Sequence, residues 1–489
     1  MTPTLSELLE QARLAARSLV EYGESLFNPT VRLGITGLSR SGKTVFITAL
    51  VHGLVRTGRF AVFDAFAEQR IARARLSPQP DDAVPRFDYE SHVAALVSDR
   101  VWPQSTRQIS ELRLVIEYQS RSGAMREVVL DMVDYPGEWL IDLPLLTTSF
   151  EAWSSASLNL SRQQPRASLA AQWHACLATL DPIGPADETK AITAARLFTA
   201  YLLACRNARY AMSLLPPGRF LMPGDLAGSP ALTFVPLELP ADGDPPDGSM
   251  WAMMRRRYEA YKEAVVRPFF RNHFARLDRQ IVLIDVLAAL NAGPEALADL
   301  EGAFKSLMDC FEIGRKTFLS SLLRPRADRI LFAATKADHL HHTSHDRLEA
   351  ILRRMVEGTI TQSGLVGAAV DVIALAAVRA TREAAVRRGH DTLPCILGVP
   401  AEGEHAGGRT FDGLTEVAVF PGDLPADPDE PFRRGPASFR GLTAGSDGDT
   451  DFRFVRFRPP PLGNHDSAPA LPHIRLDRVL QFLIGDRLA

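Results

Sequence analysis

Apolar residues from Val31 to Thr36 are spaced for a buried strand, and the apolar run from about Lys43 to Val55 reads as a helix behind it. A long polar stretch then extends to about Ser110. Leu112, Leu114, Ile116 and Tyr118 fall on every second position, a strand period, and Val128 to Val133 forms a second strand. The turn residues Ser120 to Gly123 between them predict a hairpin. From about Leu140 to Arg279 the period is helical, clearest over Thr189–Tyr210 and Trp251–Leu277, with a Pro/Gly/Asp linker at Ala241–Gly248. Three more apolar strands follow, Ile281–Val286, Ile330–Ala334 and Val370–Ala376, alternating with helices such as Asp346–Val356. That alternation predicts an α/β protein with a mostly parallel sheet.

The ends differ from this middle. Residues Thr4 to Phe27 predict an amphipathic helix packed on the main body, because Glu7, Glu10, Glu21 and Glu24 offset Arg13 and Arg17. From about Glu383 to Leu471 there are short β-like runs, Glu416–Phe420 and Phe452–Phe457, between loops at Asp423–Pro436 and Gly445–Thr450. An amphipathic helix closes the chain over Ile474–Leu483.

Composition narrows the classes. The 489 residues exceed one ordinary domain, and 46% hydrophobic with 23% charged residues suits a chain with a sizeable core. A net charge of −3 gives no global field toward nucleic acid, so no nucleic-acid partner is expected. Cys176, Cys205, Cys310 and Cys395 are too scattered for a zinc site or a disulfide framework, which predicts a reducing compartment. No signal peptide and no bilayer-length apolar stretch is evident, so the expected location is cytoplasmic; peripheral membrane contact stays open.

The strongest chemical signal is Gly37-Leu38-Ser39-Arg40-Ser41-Gly42-Lys43-Thr44, a G-x-x-x-x-G-K-[ST] loop between a strand and a helix. Its backbone N–H groups and the helix N-terminus can cradle phosphates, with Ser39, Arg40, Ser41, Gly42 and Val45 contributing to the cradle. Lys43 would reach the β- and γ-phosphates, and Thr44 would place its hydroxyl on Mg²⁺. Downstream, Asp134-Tyr135-Pro136-Gly137-Glu138 resembles the D-x-x-G element of regulatory GTPases. Asp134 is the candidate Mg²⁺ residue and the Gly137 N–H a γ-phosphate contact. Two readings of Glu138 stand side by side. It orients the attacking water, as a Gln does in Ras-like GTPases, or it is an acid opening a helix, where carboxylates suit the dipole.

Thr335-Lys336-Ala337-Asp338 resembles the [NT]-K-x-D element, in which Asp338 would accept N1–H and the exocyclic amine of guanine while the Lys336 stem packs on the base. His339 is a further candidate beside the base, although a loop histidine is the plainer reading. His341, His342 and His345 read as a solvated loop rather than a metal site. Ala374 to Arg379 resembles a degenerate S-A-[KL] element, placing the backbone of Ala377 and Val378 at guanine O6. Before the second strand, Trp102-Pro103-Gln104-Ser105-Thr106-Arg107 is the candidate switch loop. Thr106 would close on Mg²⁺, Trp102 and Ser105 would line the nucleotide, and Arg107 would offset transition-state charge. The alternatives are a core Trp102 and a surface Arg107. Arg255, Arg256 and Arg257 read as solvated or paired with acids.

The combination resembles the YcjX-like family of bacterial P-loop GTP-binding proteins, through Gly37–Thr44, Asp134–Glu138, Asp285–Gly293, Thr335–Asp338 and Ala377–Thr381. The resemblance implies a Ras-like core with added segments and an association with bacterial stress responses. The expected organisation is an N-terminal helix (1–30), a Ras-like P-loop G domain in two parts (31–140 and 280–382), a helical insertion (141–279), a β-rich insertion (383–471) and a C-terminal helix (472–489). The expected function is binding of GTP or GDP with Mg²⁺ and slow hydrolysis of GTP, with a protein partner engaged through the insertions. A P-loop ATPase or kinase, and a nucleotide-gated module with negligible turnover, are the alternatives.

Overall fold

Ile281 and Leu283 belong to the apolar core on one side of the central sheet, Val282 and Ile284 to the core on the other, and all four are buried. A strand apolar on both faces needs cover on both, which is the requirement of a parallel sheet. A computed structural model of the chain describes residues 29–38, 40–56, 58–79, 81–104, 106, 108–207, 209–238, 245–316, 327–363, 368–388, 390–406, 408–433, 454–462 and 470–489. The helix expected over Thr4–Phe27, the Gly445–Thr450 loop and the first half of the Ala241–Gly248 linker lie outside these residues.

Strand β1 (Thr30–Gly37) is central. It pairs in parallel with β4 (Met125–Asp134) on one side and β5 (Arg279–Ile284) on the other. β6 (Arg329–Ala334) and β7 (Ala369–Ala374) extend the parallel array. β3 (Ser110–Gln119) joins β4 antiparallel, as the expected hairpin, through the turn near Gly123. One strand was not expected. β2 (Ile71–Ser77) lies antiparallel to β3 at the sheet edge, giving the order β2-β3-β4-β1-β5-β6-β7. It carries little apolar signal because Arg73 and Arg75 project to Glu117, and Arg75 also to Glu127, as edge strands tend to do.

Helix α1 (Lys43–Val55) follows β1 and is buried along most of its length. Between β4 and β5 run α2 (Phe150–Ser161), α3 (Arg166–Leu177), α4 (Glu188–Arg206) and α5 (Met250–Tyr261). Ser149, Asp187 and Ser249 cap three of them by accepting the N–H groups of Ala152, Lys190 and Ala252. Their aromatic residues interlock: Trp153 stacks on Tyr258 at 5.0 Å and Trp173 packs on Phe198 at 4.7 Å. This cluster is continuous with Val282, Ile284 and Phe332 of the sheet. After β5 come α6 (Val286–Ala292) and α7 (Pro294–Lys316), and α8 (His345–Ser363) precedes β7.

α9 (Leu476–Ile484) covers the opposite face, with Leu476, Val479, Leu480 and Leu483 in the core shared with Phe46 and Leu283. Buried Arg279 of β5 donates to the Leu483 carbonyl at 3.1 Å and to Asp486 at 2.8 Å, tying this helix down. A smaller antiparallel sheet holds β8 (Arg382–Arg388), β9 (Asp391–Gly398) and Val417–Val419. The β-like run expected at Phe452–Phe457 is not a strand in its described residues, 454–457; Phe457 makes one isolated bridge to Pro400. Its apolar residues serve packing, as the site shows below.

Asp142 is buried in the helical layer, where Gly218 N–H donates at 2.7 Å and Tyr261 hydroxyl at 2.5 Å. Burial outweighs these donors and Arg219, raising its pKa from 3.8 to about 7. The folded chain therefore keeps a proton that the unfolded chain releases, and stability falls as pH rises from about 4 toward 7. Asp142→Asn, which can accept from Gly218 and donate to Tyr261, should flatten that fall. Between pH 6 and 7 the wild type should lose up to about 1 kcal/mol relative to the variant. Urea unfolding of both proteins across this range tests it, and parallel curves would refute it.

Candidate functional site

The carboxyl ends of β1, β4, β5, β6 and β7 reach one edge of the sheet, and the motif residues gather there. The loop after β1 enters α1 through Lys43 and Thr44, both buried. The Lys43 ammonium donates to the Gly37 carbonyl at 3.1 Å. Arg40 holds a left-handed backbone, φ 64°, which is costly for a residue with a side chain and is tolerated where surroundings impose it. Burial, then the guanidinium groups of Arg206 and Arg456, lower its pKa, although its side chain reaches solvent.

Three side-chain oxygens converge near Lys43. Thr44 Oγ1 lies 3.2 Å from Thr106 Oγ1, and Thr106 donates to Asp134 Oδ2 at 2.5 Å. Asp134 ends β4, opposite Ile35 of β1. Its Oδ1 is buried without a hydrogen-bond partner among the described residues. Burial raises the Asp134 pKa from 3.8 to about 6, against the opposing pull of Lys43 and the Thr106 hydrogen bond. A buried, under-paired carboxylate flanked by two hydroxyls suits a hard cation that takes oxygen ligands.

Two glycines fix what comes next. A Cβ on Gly137 would lie 1.6 Å from the Gly37 carbonyl oxygen, and a Cβ on Gly218 would lie 1.7 Å from the Glu138 carbonyl oxygen. Backbone meets backbone at both points, so no side chain fits. Glu138 is buried and pairs with Arg206, the last residue of α4, at 3.3 Å. It opens a 3₁₀ segment, Gly137–Thr147, and is not the surface acid of an α-helix.

At the other end of the site, Thr335 N–H donates to the Ile284 carbonyl at 2.9 Å, and Lys336 adopts φ 62°. Lys336 forms an ion pair with Asp285, whose other oxygen caps α6 through Ala288 N–H at 3.0 Å. Asp338 is buried and accepts Ala380 N–H at 2.8 Å. His339 is also buried, with its ring edge on Phe457 at 5.7 Å, so it is not a solvated loop histidine. Burial lowers its pKa. His345 is buried too, while His341 and His342 lie near Glu383, with His342 Nδ1 at 2.8 Å from its carboxylate.

A cavity of about 400 Å³ joins the two ends. Arg40, Ser41, Gly42, Lys43, Thr44, Val45 and Thr106 line one part of it; Thr335, Lys336, Asp338, His339, Ala377 and Val378 line another. Trp102 lines it as well, but its indole N–H is engaged by the Phe457 carbonyl at 2.6 Å. Asp134, Gly137 and Glu138 stand behind Lys43, outside this lining. Ser39, Ser105 and Arg107 lie outside the described residues. Sequence reasoning missed Arg206, Asp285, Arg456 and Phe457. Of these only Asp285 stood in a motif-like stretch. Arg257, expected to be solvated or paired, pairs with Glu188.

Residues 31–488 match the model of the YcjX-like family, DUF463. A curated relative from Escherichia coli (strain K12), described as Ras-like GTPase YcjX, is 36% identical over 94% of this chain and 96% of its own length. One from Shewanella oneidensis (strain ATCC 700550 / MR-1), with the same description, is 32% identical over 97% of this chain and 99% of its own. Among the described residues no helix is long and apolar enough to cross a membrane.

The Gly37–Gly137 contact has a direct consequence. Gly137→Ala must push two backbone segments apart, so it should destabilise the fold by about 1–3 kcal/mol. Gly302→Ala, in α7, is the control, because its Cβ would meet Leu214 at an ordinary 3.7 Å. It should be neutral or stabilising by up to about 1 kcal/mol. Denaturant midpoints separate the two, and an unshifted Gly137→Ala midpoint would refute the close contact.

Proposed function

The chain belongs to the YcjX-like family, and on that premise we propose that it binds guanine nucleotide and slowly hydrolyses GTP to GDP and phosphate. The observation that carries the reading is the single cavity with Lys43, Thr44 and Thr106 toward one end and Lys336, Asp338 and His339 toward the other. A nucleotide has the same polarity: anionic phosphates, then a flat base edged with donors and acceptors.

In this reading the 37–44 loop wraps the phosphates with its N–H groups, and Lys43 exchanges the Gly37 carbonyl for phosphate oxygen. Gly137 N–H faces the γ-phosphate. Asp338 accepts the two guanine donors, and the backbone of Ala377 and Val378 meets O6. Thr44, Thr106 and Asp134 would hold Mg²⁺, whose oxygen-seeking chemistry matches their unpaired and converging oxygens. Bound there, the ion would neutralise charge on the phosphates. Hydrolysis forms a bond from water oxygen to the γ-phosphorus while the bond to the β–γ bridging oxygen breaks. That electron pair leaves on GDP, and the water proton passes to the released phosphate. Glu138 would orient the water, and Ser39, Ser105, Trp102 and Arg107 would complete the nucleotide's surroundings.

One observation favours a second reading, a nucleotide-gated module with negligible turnover. Glu138 is already tied to Arg206, so its carboxylate is not poised on water. Single-turnover hydrolysis by the isolated chain separates the two readings, with slow but measurable release of phosphate supporting the first.

Two substitutions test binding. Asp338→Ala should lower the preference for GTP over ATP by about 10²-fold or more, since buried base donors would lose their acceptor. Competition titrations measure it, and equal affinity of the wild type for both nucleotides would defeat the assignment. Lys43→Ala should abolish tight nucleotide binding with little change in melting temperature. Full GTP affinity in that folded variant would count against the phosphate loop.

A further inference from the structure

The helical layer delivers a cation to the phosphate end of the site. Arg206 is the last residue of α4, where the negative end of the helix dipole favours a positive charge. The helix below it is anchored by buried Ala191, Ala195, Phe198, Tyr201 and Leu202. The turn beyond is closed by Ala211 N–H on the Asn207 carbonyl at 2.8 Å and Met212 N–H on the Cys205 carbonyl at 3.2 Å. The Arg206 side chain extends from this anchored end and is partly exposed. Its partner in the structure is Glu138, the residue directly after Gly137, and Gly137 packs on the Gly37 carbonyl and lies near the Lys43 ammonium.

Arg206 also lines a second cavity, of about 240 Å³, together with Leu38 and Arg40 of the phosphate loop. That cavity shares Arg40, Lys336, His339 and Arg456 with the larger one, so Arg206 lines a space that adjoins the proposed nucleotide site. Arg40 feels the guanidinium groups of Arg206 and Arg456 and the carboxylates of Asp285 and Glu138. Arg206 and Arg456 are each paired with a single carboxylate, Glu138 and Glu404, so a phosphate entering here would compete for cations already held.

We infer that Arg206 is the arginine that acts on the γ-phosphoryl group during hydrolysis, held in reserve by Glu138 until a triphosphate is bound. The inference rests on the reading of the site as a GTPase. With GTP in place, the phosphate oxygens compete with Glu138 for the guanidinium, whose planar fork suits two phosphate oxygens at once. Arg206 then offsets the charge on the phosphoryl oxygens and on the bridging oxygen as its bond to phosphorus breaks. Glu138, released, accepts a hydrogen bond from the attacking water. Exchange of one partner for another accounts for a carboxylate standing where it would otherwise repel the substrate. It also supplies the catalytic charge from within the chain, 68 residues downstream of the acid that stores it.

Single-turnover hydrolysis and nucleotide binding by wild type, Arg206→Ala and Arg206→Lys test this. Arg206→Ala should lose about 10³-fold or more in rate. Its GDP affinity and melting temperature should stay close to wild type. GDP with aluminium fluoride, which mimics the phosphoryl group in transfer, should bind wild type more tightly than GDP alone, and Arg206→Ala should lose that gain. Arg206→Lys, with the charge but not the fork, should fall between. A wild-type rate in Arg206→Ala, or an unchanged gain from aluminium fluoride, overturns the inference. So does a parallel fall in rate, GDP affinity and stability, which marks a structural role. A wild type that binds GDP but never hydrolyses GTP overturns it as well. A wild type that binds no guanine nucleotide overturns the GTPase reading beneath it.

Discussion

The contact of Gly137 with the Gly37 carbonyl is the constraint on which the site depends. Parallel pairing of β1 with β4 brings Gly37 and Asp134 to the same sheet edge, and absence of a side chain at Gly137 lets the two loops touch. Everything around Lys43 follows from that closeness. Lys43 reaches the Gly37 carbonyl, Asp134 is sealed beneath Thr106, and Glu138 is carried to the boundary with the helical layer. Widening this contact by even a methyl group would separate the lysine from the carboxylate that shares its field.

Dry surroundings give these groups their chemistry. Asp134 sits in a place that penalises its charge, and its rise to about pH 6 records how little the protein alone compensates it. Asp142, a few residues on, meets the same penalty but is satisfied by Tyr261 and Gly218, and it belongs to packing. Two neighbouring buried carboxyls thus differ in kind: one has its hydrogen bonds closed, the other has an oxygen left over.

The Thr335–Asp338 end of the cavity is built from distant pieces. Thr335 is held by β5, Asp338 by Ala380, and Lys336 by Asp285. The segment around Phe457 closes over them, binding Trp102 through its carbonyl and His339 through its ring, while Pro459 accepts from Arg100. Trp102 and Arg100 thus tie the segment before β3 to the C-terminal part of the chain. That segment also touches Thr44 through Gln104 and Thr106, so its described residues contact both ends of the cavity.

What the sequence determined by itself was local. The strand–loop–helix at 30–55, the β3–β4 hairpin and the Thr335–Asp338 turn were all legible, because each is written in a few consecutive residues. Turn glycines, strand alternation and helical period act over short spans, and hydrogen bonds within them close locally. The edge strand β2 escaped because its outward face is arginine, and an edge needs only one apolar side. Tertiary structure alone decided that Arg206 meets Glu138, that Arg456 and Phe457 wall the cavity, and that His339 and His345 are buried. These are pairings between segments tens to hundreds of residues apart. Their partners are chosen by which faces of helices and strands pack together, and no residue type at either position announces the other.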